Sequence, residues 1–219
     1  MILFVDTANF DEISEAASWG FVKGVTTNPS LIAKENLTQK EIITKITKLI
    51  DGPISAEVTV NGYDNMLKQA KELFSIDPKH IVIKLPMTID GLRTCKKLHE
   101  LKIPTNVTLC FSESQALIAM ENNATYLSPF LGRLDDIGQN SIELIEKIMC
   151  IKKQYNYDTK IICASIRNAN HIVKCALTGA DIATVPFKVL KGMVNHSLTD
   201  IGLKQFDEAI EKTAKLAKK

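Results

Sequence analysis

Lys84 stands inside the otherwise apolar run Ile81-Val82-Ile83-Lys84-Leu85-Pro86. Lysine is almost never fully buried unless paired, so two readings are open. Its stem runs along apolar surface while the ammonium reaches water, or desolvation disfavours the charged form and leaves an amine able to attack a carbonyl. A Schiff-base cycle on that amine also needs acid/base groups, for carbinolamine dehydration and for carbon–carbon cleavage. Asp6 at the end of one apolar run and Glu57 within another are the carboxyls that qualify, unless they only form an ion pair with Lys84. Asn28, Asn106, Thr108 and Ser128 occupy corresponding places, beside Thr26 and Thr27. These amides and hydroxyls exceed what two paired carboxylates need, and they suit a polyhydroxylated ligand.

Arginine usage adds a second chemistry. Of 27 basic residues only Arg93, Arg133 and Arg167 are arginines, and two of them follow apolar runs, in Ser128-Pro129-Phe130-Leu131-Gly132-Arg133 and Ser165-Ile166-Arg167. A guanidinium matches phosphate in a bidentate way that an ammonium does not. Either these two arginines grip a phosphate or they sit in weak rim ion pairs.

The elements that must carry these groups are short, Ile/Val-rich runs at 2–5, 24–26, 54–59, 81–85, 105–109, 126–129, 161–164 and 182–185. Amphipathic stretches of helix length separate them, at 62–75, 91–101, 112–122, 139–155 and 169–179 among others. Continuous apolar strands alternating with helices predict a parallel sheet covered on both faces, and eight such units predict one closed (β/α)₈ TIM barrel. An open doubly wound sheet is the alternative, but no G-x-G-x-x-G follows the first run and no G-x-x-x-x-G-K-[ST] occurs. In a barrel the active site lies at the C-terminal rim of the strands, where the polar residues named above cluster. No linker or low-complexity tract interrupts the chain, so one domain is expected over 1–219, ending in a Lys-rich helix over 203–219 that is a surface cap or an arm to a neighbouring subunit.

With 45% hydrophobic and 24% charged residues the chain has ordinary globular usage. A net charge of +2 with scattered lysines offers no footprint for nucleic acid, and no run approaches a membrane span. The N-terminus reaches Asp6 too early for a signal peptide, so a cytoplasmic protein is expected. Five cysteines (Cys95, Cys110, Cys150, Cys163 and Cys175) in apolar surroundings, without C-x-x-C spacing, are expected to be free buried thiols. The four histidines show no metal-ligand spacing, and no metal is implied.

The segments Phe4-Val5-Asp6-Thr7-Ala8-Asn9, Gly24-Val25-Thr26-Thr27-Asn28-Pro29-Ser30, Ile83-Lys84-Leu85-Pro86, Asn106-Val107-Thr108 and Ser165-Ile166-Arg167 follow one another in the order found in a known family. Through them the chain resembles the transaldolase family along its full length, most closely its short-chain branch. Fructose-6-phosphate aldolase resembles the same branch but releases free dihydroxyacetone. It differs by a glutamine where Glu57 stands, a tyrosine where Phe130 stands, and the lack of an asparagine where Asn106 stands.

The resemblance implies a transferase without a cofactor, moving a dihydroxyacetone unit from sedoheptulose 7-phosphate or fructose 6-phosphate to an aldose phosphate in the pentose phosphate pathway. It implies that Lys84 forms the Schiff base, that Glu57 and Thr108 act through a water, and that Asp6 takes the C4 hydroxyl proton with Thr26 in support. Asn28, Asn106 and Ser128 would hold the three-carbon unit, beside Phe130, and Arg133, Ser165 and Arg167 the phosphate. Short-chain relatives commonly form pentamers paired into decamers, with C-terminal helices crossing between subunits. A barrel that binds a sugar phosphate without catalysis is the reading from a different class.

Overall fold

The structure, a computed structural model, describes residues 1–216. Its first half runs β1 (Ile2–Asp6), α1 (Phe10–Ser18), β2 (Val22–Thr26), α2 (Pro29–Ile32), α3 (Gln39–Ile46), β3 (Ile54–Glu57), α4 (Tyr63–Phe74), β4 (Ile81–Pro86) and α5 (Ile89–Glu100). The second half runs β5 (Thr105–Cys110), α6 (Glu113–Glu121), β6 (Tyr126–Pro129), α7 (Leu131–Asp136), α8 (Ser141–Tyr155), β7 (Lys160–Cys163), α9 (Ala169–Leu177), β8 (Ile182–Val185), α10 (Phe187–Gly192) and α11 (Ser197–Leu216). The strands close in sequence order, all parallel, with β8 back against β1. The expected (β/α)₈ barrel with a C-terminal helix is therefore the observed architecture.

The period of two along each strand divides the side chains between two cores. Val5, Val25, Ile54, Ile81, Ile83, Leu85, Val107, Leu127 and Val185 face outward and are buried against the helices. Phe4, Ile162 and Ile182, with Tyr126 packed on them, form a separate cluster inside the barrel. Gly24 makes room for that plug, since a Cβ there would lie 2.6 Å from the Phe4 ring. Two residues further along, the same inward phase turns polar: Phe4 gives way to Asp6, Gly24 to Thr26, Tyr126 to Ser128 and Ile182 to Thr184. The apolar plug thus floors a polar chamber at the C-terminal ends of the strands.

Side-chain caps end the βα loops and start the helices: Asn9 for α1, Asn28 for α2, Thr88 for α5, Ser112 for α6 and Asn168 for α9 each accept a backbone N–H of the first turn. Thr38 and Glu41 form a capping box on α3. A bulge interrupts β5 between Thr108 and Cys110, with Leu109 at φ 60°. Such bulges occur at barrel rims next to functional sites, where they re-aim a side chain.

Two expectations need correction. Cys150 is exposed, while the other four cysteines are buried free thiols. The buried face of α8 is Leu144, Ile145 and Ile148, which leaves Cys150 on its outer side. The terminal helix begins at Ser197 and not at 203, because Gly202 lies within it and His196 Nδ1 accepts the N–H of Leu198 at 3.1 Å. A glycine inside a helix costs only about 1 kcal/mol relative to alanine. The last three residues of that predicted segment fall outside the described ones.

Candidate active site

Lys84 projects from β4 into the polar chamber and is 4% exposed. Its Nζ lies 3.0 Å from Glu57 Oε2 and donates to the backbone carbonyl of Thr27 at 3.0 Å. It does not reach bulk water, so the snorkelling reading is set aside. The pairing follows from register, because Glu57 on β3 is directly opposite Lys84 on β4, and Asn106 on β5 is opposite Lys84 on the other side. Gln39 at the start of α3 donates to the Glu57 carbonyl at 2.6 Å and fixes the end of β3.

Asp6 enters from β1. Part of its surface opens to the chamber, yet burial of the carboxyl raises its pKa above the ordinary value near 3.8, and the negative charge of Glu57 adds to this. The positive charge of Lys84 and a 2.8 Å hydrogen bond from Thr26 Oγ1 oppose it. Glu57 is the carboxylate paired with Lys84, while Asp6 is held nearer to its protonated form than a surface aspartate would be.

A cavity of about 330 Å³ opens above these groups. It is lined by Asp6, Thr26, Asn28, Lys84, Thr108, Ser128, Phe130, Arg133, Ser165 and Arg167 among the predicted site residues, joined by Ala164 and Thr184. Glu57 and Asn106 are not among its lining residues. Glu57 is paired with Lys84, and Asn106 is fully buried, accepting from Ser128 Oγ at 2.8 Å and donating to Ser55 Oγ at 3.2 Å. The hydroxyl of Thr108 is buried and, among the described residues, has no hydrogen-bond partner. That leaves it able to serve a group in the cavity. Asn28 spends its Oδ1 on the N–H of Leu31, 3.0 Å away, as the cap of α2, so its amide nitrogen is the end left for a ligand.

The rim opposite carries the positive charge. The guanidinium of Arg133 lies 5.3 Å from the centre of the Phe130 ring, which in turn meets Phe111 edge-on at 5.8 Å. Among the described residues no carboxylate pairs with Arg133. Arg167 is held by Asp136 at 2.6 Å with both side chains about half exposed, so the rim-pair reading fits Arg167 alone. Gly132 allows this rim to close: its N–H donates to the Ser165 carbonyl at 2.9 Å, and a Cβ there would come within 2.3 Å of Arg167 Nε. Ser165 adopts φ 58°, a left-handed conformation that costs a non-glycine residue on the order of 1 kcal/mol or more. Arg93 lies elsewhere, stacked on Tyr63 and paired with Asp90 on the outer helices.

Sequence reasoning passed over Thr184, Ser55 and Gly132. Thr184 carried a usable signal, a hydroxyl in the apolar run Ile182-Ala183-Thr184-Val185. Ser55 showed the same signal more weakly, and the need for Gly132 arises only from the approach of the β7 loop.

Among the described residues no helix is long and apolar enough to cross a membrane. The sequence model of the family described as Transaldolase/Fructose-6-phosphate aldolase matches residues 3–219. A protein of Caldicellulosiruptor saccharolyticus named "Probable transaldolase" is 54% identical over 216 residues, covering 98% of this chain and 99% of its own length. One of the same name from Clostridium kluyveri is 56% identical, covering 94% and 95%. A third, from Geotalea uraniireducens, is 52% identical, covering 98% and 100%. A match over nearly the whole barrel, with a buried lysine between two carboxyls at its rim, means that this chain belongs to the transaldolase/fructose-6-phosphate aldolase family.

Proposed function

We propose that this chain is a transaldolase, a single-domain enzyme that carries a dihydroxyacetone unit on Lys84 from a ketose phosphate to an aldose phosphate. The observation that carries the reading is the buried Lys84 amine at the cavity floor, 3.0 Å from Glu57 and within the electrostatic reach of Asp6.

Glu57, acting through a water held also by the free hydroxyl of Thr108, takes one proton from the Lys84 ammonium, and the freed amine adds to the C2 carbonyl of sedoheptulose 7-phosphate or fructose 6-phosphate. The C2 oxygen then receives two protons, one from the nitrogen and the one held by Glu57, and leaves as water, giving the protonated Schiff base. Asp6 removes the proton of the C4 hydroxyl. The C3–C4 electron pair then passes to the iminium nitrogen, releasing erythrose 4-phosphate or glyceraldehyde 3-phosphate and leaving an enamine. An acceptor aldehyde reverses these steps, and hydrolysis restores Lys84. Asn28 and Ser128 hold the hydroxyls of the retained unit, with Asn106 orienting the Ser128 hydroxyl from behind, while Arg133, Ser165 and Arg167 bind phosphate. These last tasks are positioning, so Arg133→Ala raises KM more than it lowers kcat.

Transfer is favoured over cleavage by the phenyl ring of Phe130, which has no hydroxyl to protonate the enamine. Phe130→Tyr is expected to increase release of free dihydroxyacetone, and unchanged release argues against this account. A cytoplasmic location and assembly into a pentamer or decamer belong to the same proposal; a bridging role for α11 between subunits is supported by its having no buried residue.

Borohydride reduction in the presence of fructose 6-phosphate tests the reading. The wild type gains a covalent adduct and Lys84→Arg does not; an adduct that persists in Lys84→Arg refutes it. Glyceraldehyde 3-phosphate measured with and without erythrose 4-phosphate then separates transfer from aldol cleavage, and formation that is independent of acceptor assigns the aldolase activity instead.

A further inference from the structure

Thr184 belongs to none of the groups given a role above, yet its side chain lines the cavity and is 3% exposed. Its Oγ1 lies 2.5 Å from Thr26 Oγ1, and Thr26 Oγ1 lies 2.8 Å from Asp6 Oδ1. The contact joins residues far apart in sequence, because β2 and β8 flank β1 on opposite sides. Thr26 and Thr184 therefore meet over the inner face of β1, at the level where Asp6 projects. Thr26, Lys84, Ser128 and Thr184 come from β2, β4, β6 and β8, which matches the layers of four side chains from alternate strands that fill such barrels.

A hydroxyl has one proton to donate. If Thr26 gives its proton to the Asp6 carboxylate, the short contact between the two threonines requires Thr184 to donate to Thr26. Both O–H dipoles then point toward the carboxylate, and in a poorly solvated chamber each polarises the next. We propose that Thr184 is a positioning residue for Asp6, the outer member of a two-hydroxyl relay that orients Thr26 and sets the ionisation of the carboxyl. The inference rests on the reading of Asp6 as the base of the cleavage step.

The charged groups facing Asp6 are Lys84 on β4 and Glu57 on β3, the first lowering and the second raising its pKa. Arg133 and Arg167 line the same cavity from the loops after β6 and β7. None of these is altered by a change at Thr184, so a changed Asp6 titration reports the relay. Removing the outer hydroxyl takes one aligned dipole from the carboxylate. Its pKa must then rise further, and the pH range in which Asp6 is an effective base must begin higher.

The test follows the carbon-13 signal of the Asp6 carboxyl across pH in the intact protein, assigned by its loss in Asp6→Asn, together with the pH profile of kcat/KM. In Thr184→Val both the titration and the acid limb of the profile move to higher pH by about half a unit. That is roughly a threefold loss of rate on the acid side with little change on the alkaline plateau. Thr184→Ser keeps the hydroxyl and restores both. Thr184→Ala removes it without filling the space and gives the same shift should the valine variant not fold. An Asp6 titration unchanged in Thr184→Val or Thr184→Ala overturns the relay, as does a serine variant that fails to restore it. A titration that moves in a protein whose Lys84 is not trapped by borohydride supports the relay and overturns the reaction built on Asp6, so the two failures are separable.

Discussion

Asp6 is a carboxyl that folding places where its charge is poorly solvated, and this has a consequence for stability that is separate from catalysis. Its pKa in the folded chain is raised above the ordinary value near 3.8 by burial, so the folded state binds the proton more tightly than the unfolded state does. Stability from this group is therefore greatest in acid, declines as pH rises from the unfolded to the folded value, and stays diminished above it. Asp6→Asn removes the titration while Lys84 keeps Glu57 as its partner. We expect the variant to lose on the order of 10²–10⁴ in kcat, as for the loss of a general base, yet to unfold at a higher temperature than wild type above the raised value. That advantage should shrink towards nothing as the pH falls to the ordinary carboxylate range. Thermal unfolding of both proteins between pH 3 and pH 9 checks this; a difference that does not vary with pH counts against it. Asp6 and Lys84 are legible in the sequence for the reason that makes them costly, since a charge in an apolar strand has to be explained. Thr184 obeys the same rule at lower contrast. A threonine is unremarkable in a strand, and only its contact with Thr26 across β1 gives it weight.

At the scale of the element, the rim proposed to bind phosphate depends on how closely α7 approaches the loop after β7. Leu131 and Gly132 at the start of α7 donate their N–H groups to the carbonyls of Ala164 and Ser165, and Gly132 has no side chain to hold the loop away. A methyl group there would meet the Ser165 carbonyl oxygen at 2.4 Å, a backbone atom that cannot turn aside, as well as Arg167 Nε. Gly132→Ala should push Ser165 and Arg167 out of line while leaving Lys84 and Glu57 untouched. The expected result is a KM for phosphorylated acceptors raised about tenfold, equivalent to roughly 1.4 kcal/mol of binding, with a much smaller change for unphosphorylated erythrose. Equal losses for both acceptors would place the damage in the barrel and not in the phosphate rim. The eight strands are legible because their period is short and their residues branched; β6 and β8 match the expected runs at both ends, and in the others one end or both differ by one or two positions. The third run stops at Glu57 and not at 59, and the second reaches back to Val22. Short helices such as α2 and α10 were not legible, because four to six residues carry no periodicity to read.

For the whole molecule, α11 is the element that the barrel does not explain. Its 20 residues include none that is buried, and Leu203, Phe206 and Ile210, each more than half exposed, fall at helical spacing along one side. Leu198, Ile201 and Val194 extend the exposed apolar surface toward the barrel, where Phe21 is also open. An isolated helix keeps little structure without a packed face, so such a surface is expected to be covered by another subunit, consistent with the proposed assembly. Because α11 buries nothing against its own barrel, removing it should cost the barrel little. A chain ending at Asn195 is expected to keep its circular dichroism per barrel residue and its cooperative unfolding, and still to form the Lys84 adduct. In sedimentation the full chain should run as an assembly several times its 24.3 kDa mass, and the shortened chain as a smaller species. If the shortened chain sediments in the same assembly, the contacts between subunits lie on the barrel and α11 is a surface cap.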